Sequence, residues 1–476
     1  MFIVGAVVAA AGASMLVPAA VAMAVGESGD ALALIVSAAI SMASGLLAWK
    51  VLGRPGDLSS REGFAAVGLA WFAVTAFGSL PYILSGAVDG FTNAFFETTS
   101  GFTTTGATVL TDPAALGRGM LLWRAQTQWM GGMGIIVLGV AILPLLGVGG
   151  VQLFLAESPG PTADRFTPRF RETAKRLWVL YLAFTAVEAV LLAFGDMSIF
   201  EAVAHSLTTM ATGGFSTHAG SLGAFSAYSQ WVVVVFMALA GTSFALHFRG
   251  LRDPRHYARH GEFRIYLLVL GVASAVAIAG TWGGPVARAI REAVFSVVSL
   301  ATSTGYTVTD WMQWSAGMHV LVALLMFVGG MVGSTAGGIK SFRLGVLASS
   351  TRNDLRRVVH PHGVFITRLG KDPVPDRVVQ GVQAFLALYL LLFAVGTLVM
   401  AFIAYHAGDA YDLTTVASSV ASALGNIGPA LGDVGPVANF AGIPTAGKWL
   451  LSFLMIVGRL EIFPVVLLLT RELWRK

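Results

Sequence analysis

The sequence predicts an all-α polytopic membrane protein, built as four parallel helix–pore-loop–helix repeats around a central pore and preceded by two extra transmembrane helices. Three observations predict it. Hydrophobic residues make up 56% of the 476 positions and charged residues 12%, about half the roughly 25% charge of soluble domains. Ten apolar stretches are bounded by charge or turn residues, each long enough to cross about 30 Å of hydrocarbon. Between them recur four Ser/Thr- and Gly-rich segments, too polar and short to cross and too apolar for ordinary loops.

The ten spans lie near 2–25, 31–53, 63–85, 119–148, 178–195, 227–248, 262–282, 315–350, 378–405 and 447–473. No Lys or Arg precedes the first, so despite the small residues Val21 to Ala24 it reads as a retained helix and not a cleaved signal peptide. The spans divide the chain into two extra helices (1–58), repeat 1 (59–160), repeat 2 (161–255), repeat 3 with a broken inner helix (256–372) and repeat 4 (373–476). Loops that share one side carry 24 of the 30 basic residues. By the positive-inside rule that side and both termini are cytoplasmic. Twelve acids fall on the other side, among them Glu27, Glu97, Asp112, Asp196, Glu201, Asp310, Asp409 and Asp412, against five bases. Such a surface is expected to attract cations. The chain has no cysteine, which excludes disulfides and thiolate metal sites.

The four leftover segments align. Each is a short Ser/Thr-studded helix followed by an extended stretch centred on Gly106, Gly214, Gly305 or Gly428, and these glycines stand 108, 91 and 123 residues apart. Each gap accommodates two crossings and one re-entrant half-helix, which makes the unit a fourfold parallel repeat. Non-helical backbone survives at membrane depth only when it is buried in protein or lines a watery cavity, so the four stretches are expected to converge. Glycine permits the backbone geometries that let carbonyl oxygens replace the hydration shell of a cation. The half-helices would aim their negative dipole ends at the same point. The expected ion-binding residues are Thr104, Thr105 and Gly106 in the first segment, Thr212, Gly213 and Gly214 in the second, Ser303, Thr304 and Gly305 in the third, and Asn426, Ile427 and Gly428 in the fourth.

These segments resemble the four filter segments of the Trk/Ktr/HKT superfamily of potassium transporters: Thr103 to Thr108, Thr212 to His218, Thr302 to Tyr306 and Gly425 to Pro429. Gly330 to Lys340 and Gly458 to Glu461 also resemble family motifs. The two extra helices look like the TrkH-type branch and not the KtrB type, which has only the eight core helices. The resemblance implies potassium uptake across the inner membrane, with K⁺ as the transported ligand at the filter residues. It further implies a homodimer and a cytoplasmic TrkA-like ring that binds NAD or adenine nucleotide, with no organic cofactor on this chain. In plant relatives a serine at the first filter glycine goes with sodium permeation, and position 106 here is Gly, which favours potassium. The fourth segment departs furthest, with Asn426 and Ile427 where the others have Thr, Ser or Gly. A sodium-coupled or proton-coupled transporter of the same superfamily is the alternative.

Val328 to Gly338 places five glycines in eleven residues of the eighth span. Glycine costs about 1 kcal/mol relative to alanine in a helix interior, so the helix should break here. The small, mobile stretch Gly333, Ser334, Thr335, Ala336, Gly337 and Gly338 could open or block the pathway, and in the family it is the intramembrane gate. Lys340 would hold the loop or sense the ion; a packing kink is the alternative reading. Arg459 stands alone in an apolar run, where an intramembrane charge is a functional hypothesis by default. It reads as a fixed positive charge below the filter that opposes cation passage, or else as a structural ion pair. Glu461, two residues on, cannot share its helix face and should meet another helix.

Other residues carry less. Glu188, inside the fifth span, is a proton-relay or a bundle carboxylate. His205 and His218 lack partners at metal-ligand spacing. Trp123, Arg124, Gln128 and Trp129 begin the fourth span, where Trp is expected as an interface anchor. Gly131 to Gly134 is not a dinucleotide fingerprint, because no strand precedes it. The basic loops 164–176 and 249–264 suit lipid headgroups or a cytosolic partner. No convergent catalytic set is present to favour an enzyme, nothing points to nucleic acid, and four parallel hairpin units favour a pore over a carrier built from inverted halves.

Overall fold

The computed structural model describes residues 2–51, 60–141, 166–282, 285–408 and 411–470. Arg54, Arg165, Asp409, Arg471, Arg475 and Lys476, the expected span ends at 53, 148 and 473, and the repeat boundaries at 58 and 160 lie outside them.

Helices α1 (Phe2–Ser14) and α2 (Leu16–Val25) form a first span that turns back at Gly26, φ 86°, into α3 (Ser28–Val51). Small residues bring the two spans together: a Cβ on Gly5 would lie 2.6 Å from the Gly45 carbonyl oxygen. In a bilayer, such close backbone approach supplies the packing that water would otherwise drive. The turn also anchors the hairpin to the rest of the molecule. Glu27 accepts hydrogen bonds from the Arg118 and Gly119 amides at 2.8 and 3.0 Å, capping the free donors at the start of the helix that begins at Arg118.

Repeat 1 comprises α4 (Ser60–Gly78) and α5 (Leu80–Ser85), the re-entrant α6 (Phe91–Phe102) and the inner α7 (Arg118–Ala141). Repeat 2 follows with α8 (Phe166–Ala193), re-entrant α9 (Ile199–Met210), α10 (Ala227–Ala240) and α11 (Phe244–Gly250). After α12 (Arg255–Arg259), repeat 3 runs α13 (Gly261–Gly280), re-entrant α14 (Val286–Ala301), α15 (Ala316–Leu325) and α16 (Ser341–Val359). Repeat 4 has α17 (Asp376–Ala407), re-entrant α18 (Leu413–Gly425), α19 (Thr445–Arg459) and α20 (Phe463–Leu469). The described residues also hold short 3-10 turns and two small sheets: β1 (Val328–Gly329) pairs in parallel with β2 (Ile339–Lys340), and β3 (Arg368–Leu369) pairs antiparallel with β4 (Asp372–Pro373). The re-entrant helices are buried on every side toward their C-termini, as in Ala94 to Phe102 of α6. This is the burial expected of a helix enclosed by protein and not by lipid.

Among the described residues six helical segments are long and apolar enough to cross a membrane by length and composition. The sequence led us to expect ten continuous spans with one break, at the eighth. Two further inner spans break as well. The one at 227–248 bends by 99° between α10 and α11. The cause lies in another repeat: the Met331 amide bonds the Gly241 carbonyl at 2.8 Å, the Phe244 amide bonds the Gly333 carbonyl at 3.0 Å, and the Thr335 amide bonds the Ala240 carbonyl at 3.4 Å. Backbone groups freed by the bend are thus satisfied by the loop that wedges into it. The span at 447–473 breaks after Arg459, where Glu461 and Ile462 adopt φ of 57° and 66° in succession. Left-handed backbone at the β-branched Ile462 is strained, and it persists because Glu461 is held by two cations described below.

Candidate functional site

All four re-entrant helices end in the same way. In the first, the Thr104 amide bonds the Gly101 carbonyl at 2.9 Å and the Thr105 amide bonds the Ser100 carbonyl at 2.8 Å. The same pair of bonds recurs at Thr212 and Gly213, at Ser303 and Thr304, and at Asn426 and Ile427. This is a Schellman cap, which requires a left-handed residue just past the helix. Thr104, Thr212, Ser303 and Asn426 supply it with φ of 51°, 53°, 53° and 54°. Two residues later Gly106, Gly214, Gly305 and Gly428 are again left-handed, at 84°, 76°, 82° and 104°. The fourth segment, deviant in residue type, therefore follows the backbone of the other three, and its Asn is among the residues that best tolerate the left-handed region. The Thr and Ser at the equivalent positions hold strained backbone, which clusters at functional sites.

The four segments close on one another. A Cβ placed on Gly106 would strike the carbonyl oxygen of Gly213; on Gly214, that of Thr304; on Gly305, that of Ile427; and on Gly428, that of Thr105, at 2.6 Å. Each glycine is required twice, once by its φ and once because its neighbour's carbonyl occupies the space of a side chain. The contacts run from repeat 1 to 2, 2 to 3, 3 to 4 and back to 1, so the segments form a closed ring in chain order.

Side chains brace the ring in an alternating manner. Loops 1 and 3 use hydroxyl pairs, Thr103 with Thr105 at 2.8 Å and Thr302 with Thr304 at 2.7 Å. Loops 2 and 4 have no such pair. There Gln128 donates to the Gly213 carbonyl at 2.7 Å and accepts from the Phe215 amide at 3.1 Å, while Asn426 donates to Thr105 Oγ1 at 3.0 Å and the Met455 carbonyl at 2.9 Å. Glu97 ties down the extended stretch that leaves loop 1, accepting from Thr108 Oγ1 and the Val109 amide, both at 2.9 Å, and pairing with Arg124 at 2.7 Å. Arg124 in turn donates to the Ser216 carbonyl at 2.9 Å and covers the Phe215 ring at 3.6 Å. Tyr306, next to Gly305, carries loop 3 into repeat 2 by hydrogen bonds with Thr208 and the His205 carbonyl.

Beneath the ring runs the Gly330–Gly338 loop. Its flanks are drawn together by the β1–β2 bridge, Val328 opposite Ile339 and Gly329 opposite Lys340. Between them the loop, which belongs to repeat 3, reaches repeats 2 and 4 as well as the re-entrant end of its own repeat. Thr335 Oγ1 donates to the Met210 carbonyl at 3.1 Å, the Gly337 amide donates to Ser303 Oγ at 2.7 Å, and a Cβ on Gly337 would lie 2.5 Å from the Gly425 carbonyl oxygen. Arg459 donates from Nη1 to the Thr335 carbonyl at 2.6 Å and from Nη2 to the Gly131 carbonyl at 3.2 Å. Ser334, Thr335 and Ala336 are buried, as is Arg459 at 2% exposure. The ion-pair alternative for Arg459 gives way to two backbone carbonyls. Glu461 pairs instead with Lys340, at 2.8 Å, and with Arg343, so Lys340 is bound to an acid of repeat 4.

A family model described as TrkH, cation transport protein, matches residues 33–264 and 283–475. The chain belongs to the TrkH family. It is 40% identical over 429 residues to the Trk system potassium uptake protein TrkH of Halomonas elongata, covering 88% of this chain and 87% of that one. It is 38% identical over 484 residues to the protein of that name from Escherichia coli K12, covering 100% and 98%. The crystal structure of the potassium transporter TrkH from Vibrio parahaemolyticus superposes with a TM-score of 0.90 at 36% identity, covering 99% of this chain and 98% of that one. The relatives are transport proteins and not enzymes.

Within this TrkH-family chain, several residues occupy places that sequence reasoning did not give them. Glu97, read as one of the outer acids, is fully buried, because the stretch after loop 1 needs an acceptor for Val109 and Arg124 neutralises the charge. Trp123, read as an interface anchor, is also fully buried and donates to the Gly78 carbonyl at 3.1 Å, freed at the break before α5. Other acids of that set serve as caps: Asp112 for Ala114, Asp310 for Met312 and Asp412 for Thr415. Asp196 binds Ser226 and Ser229, and Glu201 closes a capping box with Ser198. The gathering of acids near the re-entrant segments thus reflects the many short helices that begin there. Gln128, read only as part of the start of the fourth span, and Tyr306, read only as the end of the third segment, gave no signal of these bonds, because each partner lies far away in sequence.

Proposed function

We infer that this protein conducts potassium into a bacterial cell across the inner membrane, through the ring formed by the four loops, with both termini cytoplasmic. The closed cyclic contact of Gly106, Gly214, Gly305 and Gly428 with their neighbours' carbonyls carries the reading. It brings four equivalent backbone turns of carbonyl oxygens to one place, which is the means by which a pore replaces the water around a cation. The names of the relatives, potassium uptake proteins, support the ion. The Gly333–Gly338 loop serves as the gate: it crosses beneath the ring, is bonded to repeats 2 and 3 and packed against repeat 4, and is held by Arg459. A homodimer and a cytoplasmic TrkA-like ring carrying NAD or adenine nucleotide complete the proposed system.

Flux of K⁺, Rb⁺ and Na⁺ into proteoliposomes tests the reading, with Gly106→Ser as the variant. The serine Cβ would collide with the Gly213 carbonyl and must displace it, so the ratio of K⁺ to Na⁺ flux should fall roughly tenfold, the effect of about 1.4 kcal/mol at the ring. An unchanged ratio in a folded variant would remove the ring from the ion path. A second reading, coupling to protons, is favoured by Glu188, which is fully buried on α8 with both carboxyl oxygens lacking a hydrogen-bond partner. If K⁺ flux in the wild type follows an imposed proton gradient and flux in Glu188→Gln does not, the coupled reading holds.

A further inference from the structure

One carboxylate outside the ring holds both ends of the loop beneath it. Glu262 Oε1 accepts a hydrogen bond from the Val332 amide at 2.7 Å and another from the Phe342 amide at 3.2 Å. Val332 lies just inside the loop, and Phe342 is the second residue of α16, which leaves it. The Phe342 amide is among the donors a helix cannot satisfy internally at its start, and a carboxylate there also meets the positive end of the helix dipole. Glu262 is 4% exposed, with Lys340 and Arg343 the cations near enough to act on its charge. Those two cations are themselves bound by Glu461, so two acids, one from repeat 3 and one from repeat 4, grip the same flank of the loop.

The position of Glu262 is set by its neighbour. A Cβ on Gly261 would come within 2.8 Å of the Leu369 carbonyl carbon and oxygen and 2.9 Å of the Gly370 nitrogen. Gly370 is the turn residue of the β3–β4 hairpin, with φ 65°. Leu369 also lies over Gly345 of α16, beside Ile265. The hairpin therefore rests on the first turn of α13 and on α16 at once, and no side chain at 261 separates it from the backbone that carries Glu262.

We propose that Glu262 is a positioning residue for the intramembrane loop: one oxygen staples the first part of the loop, at Val332, to the helix leaving it, and the seating of the β3–β4 hairpin on Gly261 fixes where the staple sits. The proposal leans on the gate reading in one respect, that a loosened loop alters flux.

The test is hydrogen–deuterium exchange on the full-length protein in nanodiscs, read on peptides covering 328–345 and, as an internal control, on peptides covering the 213–217 loop, together with Rb⁺ uptake in proteoliposomes. Glu262→Gln keeps the shape and removes the charge. It should raise exchange in 328–345 roughly tenfold, the scale of one hydrogen bond to a charged group, and leave 213–217 unchanged. Gly261→Ala leaves Glu262 in place but shifts its seat, and should reproduce the effect in part. Exchange in 328–345 that matches wild type in Glu262→Gln overturns the staple, as does a uniform rise across the chain. Glu262→Ala, if it folds, should loosen the loop at least as much; if it does not fold, Glu262→Gln decides alone. Faster local exchange with unaltered Rb⁺ uptake upholds the staple and rejects the loop as the barrier.

Discussion

Arg459 and Thr335 are joined by a 2.6 Å hydrogen bond from the guanidinium to the backbone carbonyl. The bond ties a charge on the last inner helix to the centre of the loop under the ring. A second donor of the same guanidinium reaches the Gly131 carbonyl of repeat 1. Arg459 is thus both a fixed positive charge and a mechanical tether, and the two roles can be separated. Arg459→Ala removes both and should raise Rb⁺ uptake about tenfold or more, in line with the loss of a charge-assisted hydrogen bond. Arg459→Lys keeps the charge but loses the planar fork whose separate nitrogens reach the two carbonyls. Uptake near the wild-type level in the lysine variant would make charge the dominant role; uptake like that of alanine would make it the tether.

Glu461 faces Lys340 and Arg343 together. Removing one partner of a buried ion group leaves uncompensated charge, at about 3–5 kcal/mol. Glu461→Gln should therefore lower the thermal unfolding midpoint clearly in detergent solution, and Glu461→Gln combined with Lys340→Met should recover part of the loss. A double variant no more stable than the single one would show that the pairing is not the source.

Asn426 combines a left-handed backbone with two hydrogen bonds, to Thr105 and Met455. Asn426→Gly keeps the backbone and deletes the bonds. The protein should fold, while the ratio of K⁺ to Na⁺ flux drops, because loop 4 loses its side-chain brace to loop 1. Equal selectivity in the glycine variant would confine the role of Asn426 to its backbone.

Asp412 caps α18 from the loop before it, accepting from the Thr415 amide at 2.7 Å. Hydrogen bonds from the Thr415 side chain and amide hold its carboxyl below the ordinary value of 3.8. A depressed carboxyl stabilises the folded state above that ordinary value, and the contribution disappears as pH falls through the lowered one. Asp412→Asn, itself a good cap, should melt below the wild type at pH 7 and converge with it as the pH drops below about 3.8. Melting curves across that range check the sign.

Much of this was readable from the amino-acid order, and the remainder divides by physical cause. The four re-entrant segments showed because a local grammar repeats in them: a Ser/Thr-rich half-helix, a cap and a glycine two residues on. The break at 328–338 showed because five glycines announce it. The bend at Gly241 did not, because one glycine in an apolar run is compatible with a helix, and what bends this one is a loop from the next repeat bonding Ala240, Gly241 and Phe244. Glu97 misled for the same reason. A carboxylate near a membrane face reads as exposed until its partner Arg124, 27 residues away, is seen folded onto it. Gln128 reaches a loop 85 residues on, a distance at which single-sequence patterning carries no signal.

The contact of Asn426 with Thr105 spans 321 residues, and that separation orders the biosynthesis of the ring. Three of its loops are made before the fourth emerges, so the glycine-to-carbonyl circuit stays open, with Gly305 and Thr105 lacking their neighbours, until the final quarter of the chain has been inserted. A nascent or truncated polypeptide consequently lacks a closed ring. The ring and the arginine that holds the Gly330–Gly338 loop are completed by the same last repeat.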